Sequence, residues 1–423
     1  MEEEEMMMKK MRVVAAIREY EEGRDRERVL EVDRECEVGP TGGSHMSLFT
    51  DPLGDPLSRV RHSPSFLLLV AEVVSGPDRA IVGLVRGCVK SVSRGSPIRL
   101  PAKHHTAAEH RTPLFSTVAY LLGLRVSPPY RRRGIGQQLV QRMEEWFVKM
   151  GAEYAYMATD IDNAESIRLF TGRCGYSKFR TPSILVHPVY AHRLRLKLPR
   201  HAAVHRLSPA DADLLYRRRF SSVEFFPGDI DAVLRNPSSL GTFVAVPRTS
   251  SAEEVVGAIL GGGGSSSSSS SWAVASVWDC EGAFRLEVRG APRWLRGLAR
   301  ATRAVDAALP WLGLPSIPDV FRPFGVCFVY GLGGAGPDAP ALLRALFRHA
   351  HNLARSLRCG VVAAEVAACE PLRAAVPRWD RLTVNDLWCV KRLPPNADAD
   401  ADADVDWIKA PPGPSIFVDP REV

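Results

Sequence analysis

The stretch that most restricts this chain is Leu124-Arg125-Val126-Ser127-Pro128-Pro129-Tyr130, followed at once by Arg131-Arg132-Arg133-Gly134-Ile135-Gly136. An apolar run ends at two prolines, which cannot continue a ladder. From Gly134 the period becomes helical, with Ile135, Leu139, Met143, Trp146, Phe147 and Met150 on one face. A strand therefore passes through a two-glycine turn into an amphipathic helix. A helix start exposes unpaired N–H groups and partial positive charge. The glycines let that backbone approach a ligand closely, and three arginines add forked donors. Together these make a cradle for a pyrophosphate. The spacing is R-x-x-G-x-G, and neither G-x-G-x-x-G nor G-x-x-x-x-G-K-[ST] fits it. A basic helix start that attracts a partner or a nucleic acid by charge alone would leave the glycines unexplained.

Residues 1–11 form an acidic leader, which we expect to be disordered, and 12–198 read β-α-β-β-β-α-β-α-β. Strands are expected at Val13–Ile17, Phe66–Val74, Ala80–Val92, Phe115–Val126, Tyr154–Thr159 and Ile184–Val189, and helices at Arg24–Glu37, from Gly134 to Gly151, and at Asn163–Cys174. Gly39–Pro64 and Ser93–Arg111 read as loops.

A boundary near Leu198-Pro199 opens a second set, 199–395. Strands are expected at Val204–Leu207, Gly241–Val246, Val255–Leu260, Ala273–Val277, Phe284–Val288, Val326–Gly331, Val361–Val366 and Leu387–Val390. Helices are expected at Pro209–Phe220, along Leu342, Leu346, Leu353 and Leu357, and at Glu370–Val376. Gly261–Ser271 is a flexible loop expansion. Strand, glycine-rich turn, long helix, strand, short helix, strand thus occur twice, which points to tandem copies of one α/β (α+β, mixed-sheet) fold; the alternative is a generic α/β domain, whose elements also alternate. The second turn, Gly333-Gly334-Ala335-Gly336-Pro337-Asp338, has no arginine, and Asp338 would repel phosphate, so this copy is expected to bind no such ligand well. Residues 396–423 read as an acidic Asp-Ala linker and a last strand at Ile416–Val418.

The loop R-x-x-G-x-G, the preceding V-x-P-x-Y, and Asn163-Ala164-Glu165-Ser166-Ile167-Arg168-Leu169-Phe170 ahead of Gly175-Tyr176 resemble the GNAT acyltransferase superfamily. Val126–Gly136, Leu169–Pro182, Leu185-Val186-His187-Pro188 and Ile416–Glu422 together resemble the HOOKLESS-type plant N-acetyltransferases over nearly the whole chain. The resemblance implies a GNAT fold with a degenerate second copy and acetyl-CoA as co-substrate. It places Leu124, Val126, Arg131, Arg132, Arg133, Gly134, Ile135, Gly136 and Asn163 on the cofactor, with main chain near Leu124 as the oxyanion donor. It implies an amine acceptor, including protein or histone lysine, and a nuclear role in growth regulation.

The catalytic side chains stay open. Phe170 stands where many members of the superfamily carry the tyrosine that protonates the CoA thiolate. Candidate bases are Glu72, Asp160, Asp162, His110 and His187, each of which taken alone reads more readily as a surface or structural residue, so no base is assigned. Tyr120 and Tyr156 line a groove or fill the core. Cys174, beside a helix C-terminus, is disfavoured as a thiolate, so direct attack of the amine is expected and not a ping-pong route. A regulatory module that binds acetyl-CoA without turnover is the alternative.

Composition excludes little more. The formal net charge of +7 favours anionic ligands. The eight cysteines contain no C-x-x-C pair, and His104, His105 and His110 lack the further ligands a metal needs, so no metal site is expected. His349 and His351, and the tryptophans Trp272, Trp278, Trp294 and Trp311, read as structural or packing residues. No apolar run reaches the ~18 residues of a membrane span.

Overall fold

The computed structural model describes residues 15–36, 46–75, 78–95, 115–192, 194–249, 257, 271–312, 316–394 and 407–423. The expected leader, all but Gly257 of the Val255–Leu260 strand, most of the Gly/Ser loop, the Asp-Ala linker and His104, His105 and His110 lie outside these residues.

The first set of elements comprises β1 (Ala15–Glu19), α1 (Glu22–Glu35), β2 (Ser47–Asp51), β3 (Ser65–Ser75), β4 (Asp78–Ser93), β5 (Phe115–Val126), α2 (Ile135–Lys149), β6 (Tyr154–Asp160), α3 (Ala164–Arg173), β7 (Ser177–Arg180) and β8 (Ser183–Pro188). The second comprises β9 (Ala202–Arg206), α4 (Pro209–Phe220), α5 (Ile230–Arg235), β10 (Ser239–Pro247), β11 (Trp272–Asp279), β12 (Arg285–Arg289), α6 (Arg293–Ala308), β13 (Val326–Ala335), α7 (Ala339–Ser356), β14 (Val361–Val366) and β15 (Val384–Arg392).

One mixed sheet runs through both sets in the order β1-β3-β4-β5-β6-β15-β8-β14-β13-β11-β10-β9. The last strand of each set lies in the other set's part of the sheet. β15 pairs antiparallel with β6, Asp386 opposite Asp160 and Arg392 opposite Tyr154. β8 pairs antiparallel with β14, Pro188 opposite Val361.

Period-two alternation sorts the side chains between two faces. On one face α2 and α3 bury Ile135, Leu139, Met143, Phe147 and Phe170 against β4, β5 and β6, and α7 packs likewise on β10, β11, β13 and β14. On the other face a single core crosses both sets, joining Tyr120, Tyr156 and Trp388 to Tyr216, Phe225, Trp278 and Tyr330.

The tail plugs this second core. Ile416 makes only an isolated bridge to Glu224, and Pro420–Glu422 is a 3-10 turn, so the expected final strand is absent. The tail's ionic side chains prevent it from alternating in and out as a strand would. Asp419, Arg421 and Glu422 are all buried. Lys90 of β4 bonds Asp419 at 3.1 Å and Glu422 at 2.6 Å, Tyr156 donates to Glu422 at 2.7 Å, and Arg421 forks onto Asp229 at 2.6 and 2.9 Å. Nearby, Arg180 forks onto Glu224, whose carboxylate also accepts from Trp407 Nε1 at 2.7 Å.

Three further readings need correction. Glu370–Val376 holds only a 3-10 turn at Arg373–Ala375, because Pro371 and the following turn leave too few residues for a helix. Gly333–Ala335 continue β13 instead of forming a turn. Trp272 and Trp278 are core residues as expected, but Trp294 and Trp311 are 69% and 74% exposed. Trp294 lies on α6, a helix whose apolar residues largely face outward, and Trp311 in the 3-10 turn after it.

Candidate active site

β5 and β6 pair in parallel from Val118 opposite Tyr154 to Leu121 opposite Met157, and no further. Beyond that point β5 kinks. Its register with β4 shifts between Leu84 and Arg86, and Gly123 adopts φ +60, where a Cβ would lie 2.9 Å from Arg86 Nη1. A glycine is therefore required, and the bulge bends the strand away from its neighbour. Leu122–Val126 keep β4 on one side and have no strand partner on the other. The gap opens into a cavity of about 740 Å³.

Of the expected cofactor residues, Leu124, Val126, Arg131, Arg132, Gly134, Ile135, Gly136 and Asn163 line this cavity. Gly134 is the N-cap of α2, at φ +84, and no side chain caps that helix start. Its N–H groups and dipole are left for an anion. Arg131 Nε is held at 3.0 Å by Val126 O, and Arg132 forms an exposed pair with Glu165 at 3.5 Å. Arg133 stands apart, its guanidinium 5.5 Å from the centre of the Tyr130 ring and outside the lining. Asn163 caps α3, its Oδ1 accepting from Ser166 N at 3.1 Å, and lines the cavity as well. Both roles foreseen for it are therefore compatible.

Of the candidate bases in the described residues, only Asp160, at the end of β6, lines the cavity. Its Oδ1 accepts from Asp162 N at 2.8 Å, and Asp386 sits opposite it on β15. Burial, with the charge of Asp160, pushes Asp386 up to about 6. Glu72 is removed from the cavity, locked on β3 by Arg24 at 2.6 Å and Arg18 at 3.2 Å, with its pKa lowered first by the Arg18 hydrogen bond. His187 packs against His351 at 5.7 Å between ring centres, and burial lowers it to about 4. Phe170 is buried edge-to-face on Tyr176 and offers no proton. Cys174 is pushed up to about 11, first by burial and then by Glu144, so its thiol stays protonated. Tyr120 and Tyr156 stack at 4.7 Å in the core, and Tyr120 also forms part of the cavity wall. The sequence reading missed Arg59, Arg125 and Cys36, which line the cavity too. Arg125 stood inside the quoted motif, but nothing local marks which face of the strand it takes.

The second set repeats the framework without the opening. β13 and β14 pair in parallel only from Val326–Val361 to Phe328–Ala363, and Gly331 again has φ +60. Here Tyr216 fills the space beside Gly331, and Phe220 that beside Gly333. Ser271 Oγ takes the N–H of Asp338, at the start of α7, at 3.1 Å. The N–H at the N-cap of α7 is thus taken by the chain itself, and Pro340 in the first turn has none to offer.

A parallel pair splayed by a bulge, with an uncapped glycine-rich helix start at its mouth, defines a GNAT-type acyl-CoA N-acyltransferase. The Acetyltransferase (GNAT) family model matches residues 59–176. Probable N-acetyltransferase HLS1-like of Arabidopsis thaliana is 54% identical over 421 residues, covering 97% of this chain and 100% of that protein. Acetyl transferase GW6a of Oryza sativa subsp. japonica is 42% identical, covering 97% of this chain and 98% of that one. The chain belongs to this HLS1-type family of N-acetyltransferases. Among solved structures, Saccharomyces cerevisiae N-myristoyltransferase with bound myristoyl-CoA aligns over 89% of this chain and 79% of its own, with a TM-score of 0.51 and 10% identity, a likeness of fold alone.

Proposed function

We propose that the protein transfers acetyl from acetyl-CoA directly to an amine held in the gap between β5 and β6. The observation that carries this reading is the cavity itself, which joins the uncapped start of α2 to the unpaired edge of β5. The pyrophosphate would lie on the N–H groups at Gly134–Gly136 with Arg131 and Arg132 around it. Main-chain N–H groups near Leu124 would receive the charge that develops on the thioester oxygen. The amine arrives as an ammonium and must lose a proton, and we assign that step to Asp160, which lines the cavity together with Glu165, acting directly or through one water. No thiolate nucleophile is required, in keeping with the protonated Cys174. Lysine side chains of proteins, histones among them, are the acceptor class to try first. Calorimetry with acetyl-CoA tests the site. Binding by the wild type, weakened at least tenfold in Arg131→Ala/Arg132→Ala, is expected. A folded wild type that binds no acetyl-CoA would refute the reading.

A further inference from the structure

The cavity continues through the sheet to the face opposite α2. Leu124 and Val126 turn toward the core of α2 and α3, so Arg125 between them points to the other side. There it meets two more guanidinium groups, those of Arg59 and Arg86. One carboxylate answers the three: Asp33 of α1 takes Arg86 Nη2 at 2.6 Å. Arg125 reaches only the carbonyl of Leu124, at 3.4 Å, whereas Arg59 lies over the Phe284 ring and shares the terminal oxygen of Val423 at 3.4 Å, which leaves Arg125 the less compensated of the two. Among the described residues neither guanidinium has a side-chain carboxylate partner, and both line the cavity. A part-buried cation without a side-chain counter-ion costs free energy, and an anion bound in the cavity would offset that cost.

The cofactor does not supply the missing anion. Its phosphates belong to the arginine loop on the opposite face, and its acyl end carries no charge. We propose that Arg59 and Arg125 form an anion-receiving subsite for the acceptor, so that the amine acetylated here carries a carboxylate close to its nitrogen. This rests on reading the cavity as the acetyl-CoA site. The carboxylate belongs either to a free amino acid or to an acidic residue beside a lysine in a protein.

The test uses the full chain saturated with acetyl-CoA, so that the arginine loop is already occupied. Malonate serves as the anion probe, and thermal unfolding is the first readout. Malonate should raise the wild-type midpoint and leave that of Arg125→Met unmoved. Without malonate, Arg125→Met should melt at or above the wild type, because an uncompensated charge has been removed. The second readout is transfer of labelled acetyl to L-lysine against cadaverine, and to lysine peptides with and without an adjacent glutamate. The carboxylate-bearing member of one pair should lead at least about tenfold, the ratio a charge-assisted hydrogen bond yields, and Arg125→Met should erase the lead. Which pair shows it identifies the source. No malonate shift in the wild type, or a clear loss of stability in Arg125→Met, would overturn the proposal, since either makes the guanidinium structural. A wild type that fails to bind acetyl-CoA would instead condemn the reading of the cavity.

Discussion

Replacing Lys90 by Met tests what holds the tail in place. The ammonium lies 3.1 Å from Asp419 and 2.6 Å from Glu422, and all three groups are buried. Arg421 is shared between Asp419 and Asp229, so loss of Lys90 leaves Glu422 with no cation and one guanidinium facing three carboxylates. Removing one partner from a buried pair typically costs ~3–5 kcal/mol. Methionine keeps most of the volume, so little of that cost comes from a cavity. Burial already pushes Glu422 above the ordinary carboxylate value, and Lys90 opposes that shift. Without Lys90 its folded pKa rises further. A carboxyl raised in the folded state contributes stability below its unfolded pKa and loses it as pH rises through the folded pKa. The penalty of Lys90→Met should therefore be full near pH 8 and shrink toward pH 5, as Glu422 takes up a proton. Urea unfolding followed by tryptophan fluorescence at the two pH values measures both. Lys90→Met/Glu422→Gln should recover part of the loss. A penalty below ~1 kcal/mol at pH 8, or one that grows on acidification, would refute the account.

Three further outcomes follow from the geometry. Gly134→Ala places a Cβ at φ +84, a strain of roughly 1–2 kcal/mol at the helix start, and should weaken acetyl-CoA binding about tenfold; unchanged affinity by calorimetry would remove the helix start from the site. Glu165→Ala breaks only an exposed pair with Arg132 and should shift unfolding by less than about 0.5 kcal/mol, so a larger effect would give that pair a structural role. His187 is held neutral by burial, its pKa lowered from 6.5 to about 4, so its contribution is present above 6.5 and is lost as pH falls toward 4; His187→Phe should flatten the stability profile in that window, and an unchanged slope would show that the imidazole is not responsible.

The arginine-glycine turn and the helix start after it were legible in the sequence because they are local. Strand end, glycines, arginines and helix period fall within one short stretch, and each residue type has one physical reason to be there. The N-cap role of Asn163 was legible for the same reason. The tail was not. Ile416-Phe417-Val418 has the composition of a strand, and its partner Lys90 lies 329 residues from Asp419. Likewise the helix α6 went unread in the sequence, and Trp294 upon it, read as a packing residue, is exposed. The choice of Asp160 over Glu72 depended on which strand end meets the gap, a matter of sheet order and not of spacing.

The crossing of β8 and β15 bears on how this protein comes into being. β6 waits for a neighbour that the ribosome makes only at residues 384–392, and Lys90 waits longer still for Asp419 and Glu422. Throughout synthesis of the second set, the acyl-CoA half carries an open sheet edge and a buried cation with no anion. Neither set can be cut out as a free-standing unit without removing a strand from the other. A message that stops before codon 384 would yield no half-active enzyme, but an aggregation-prone chain for the cell to degrade.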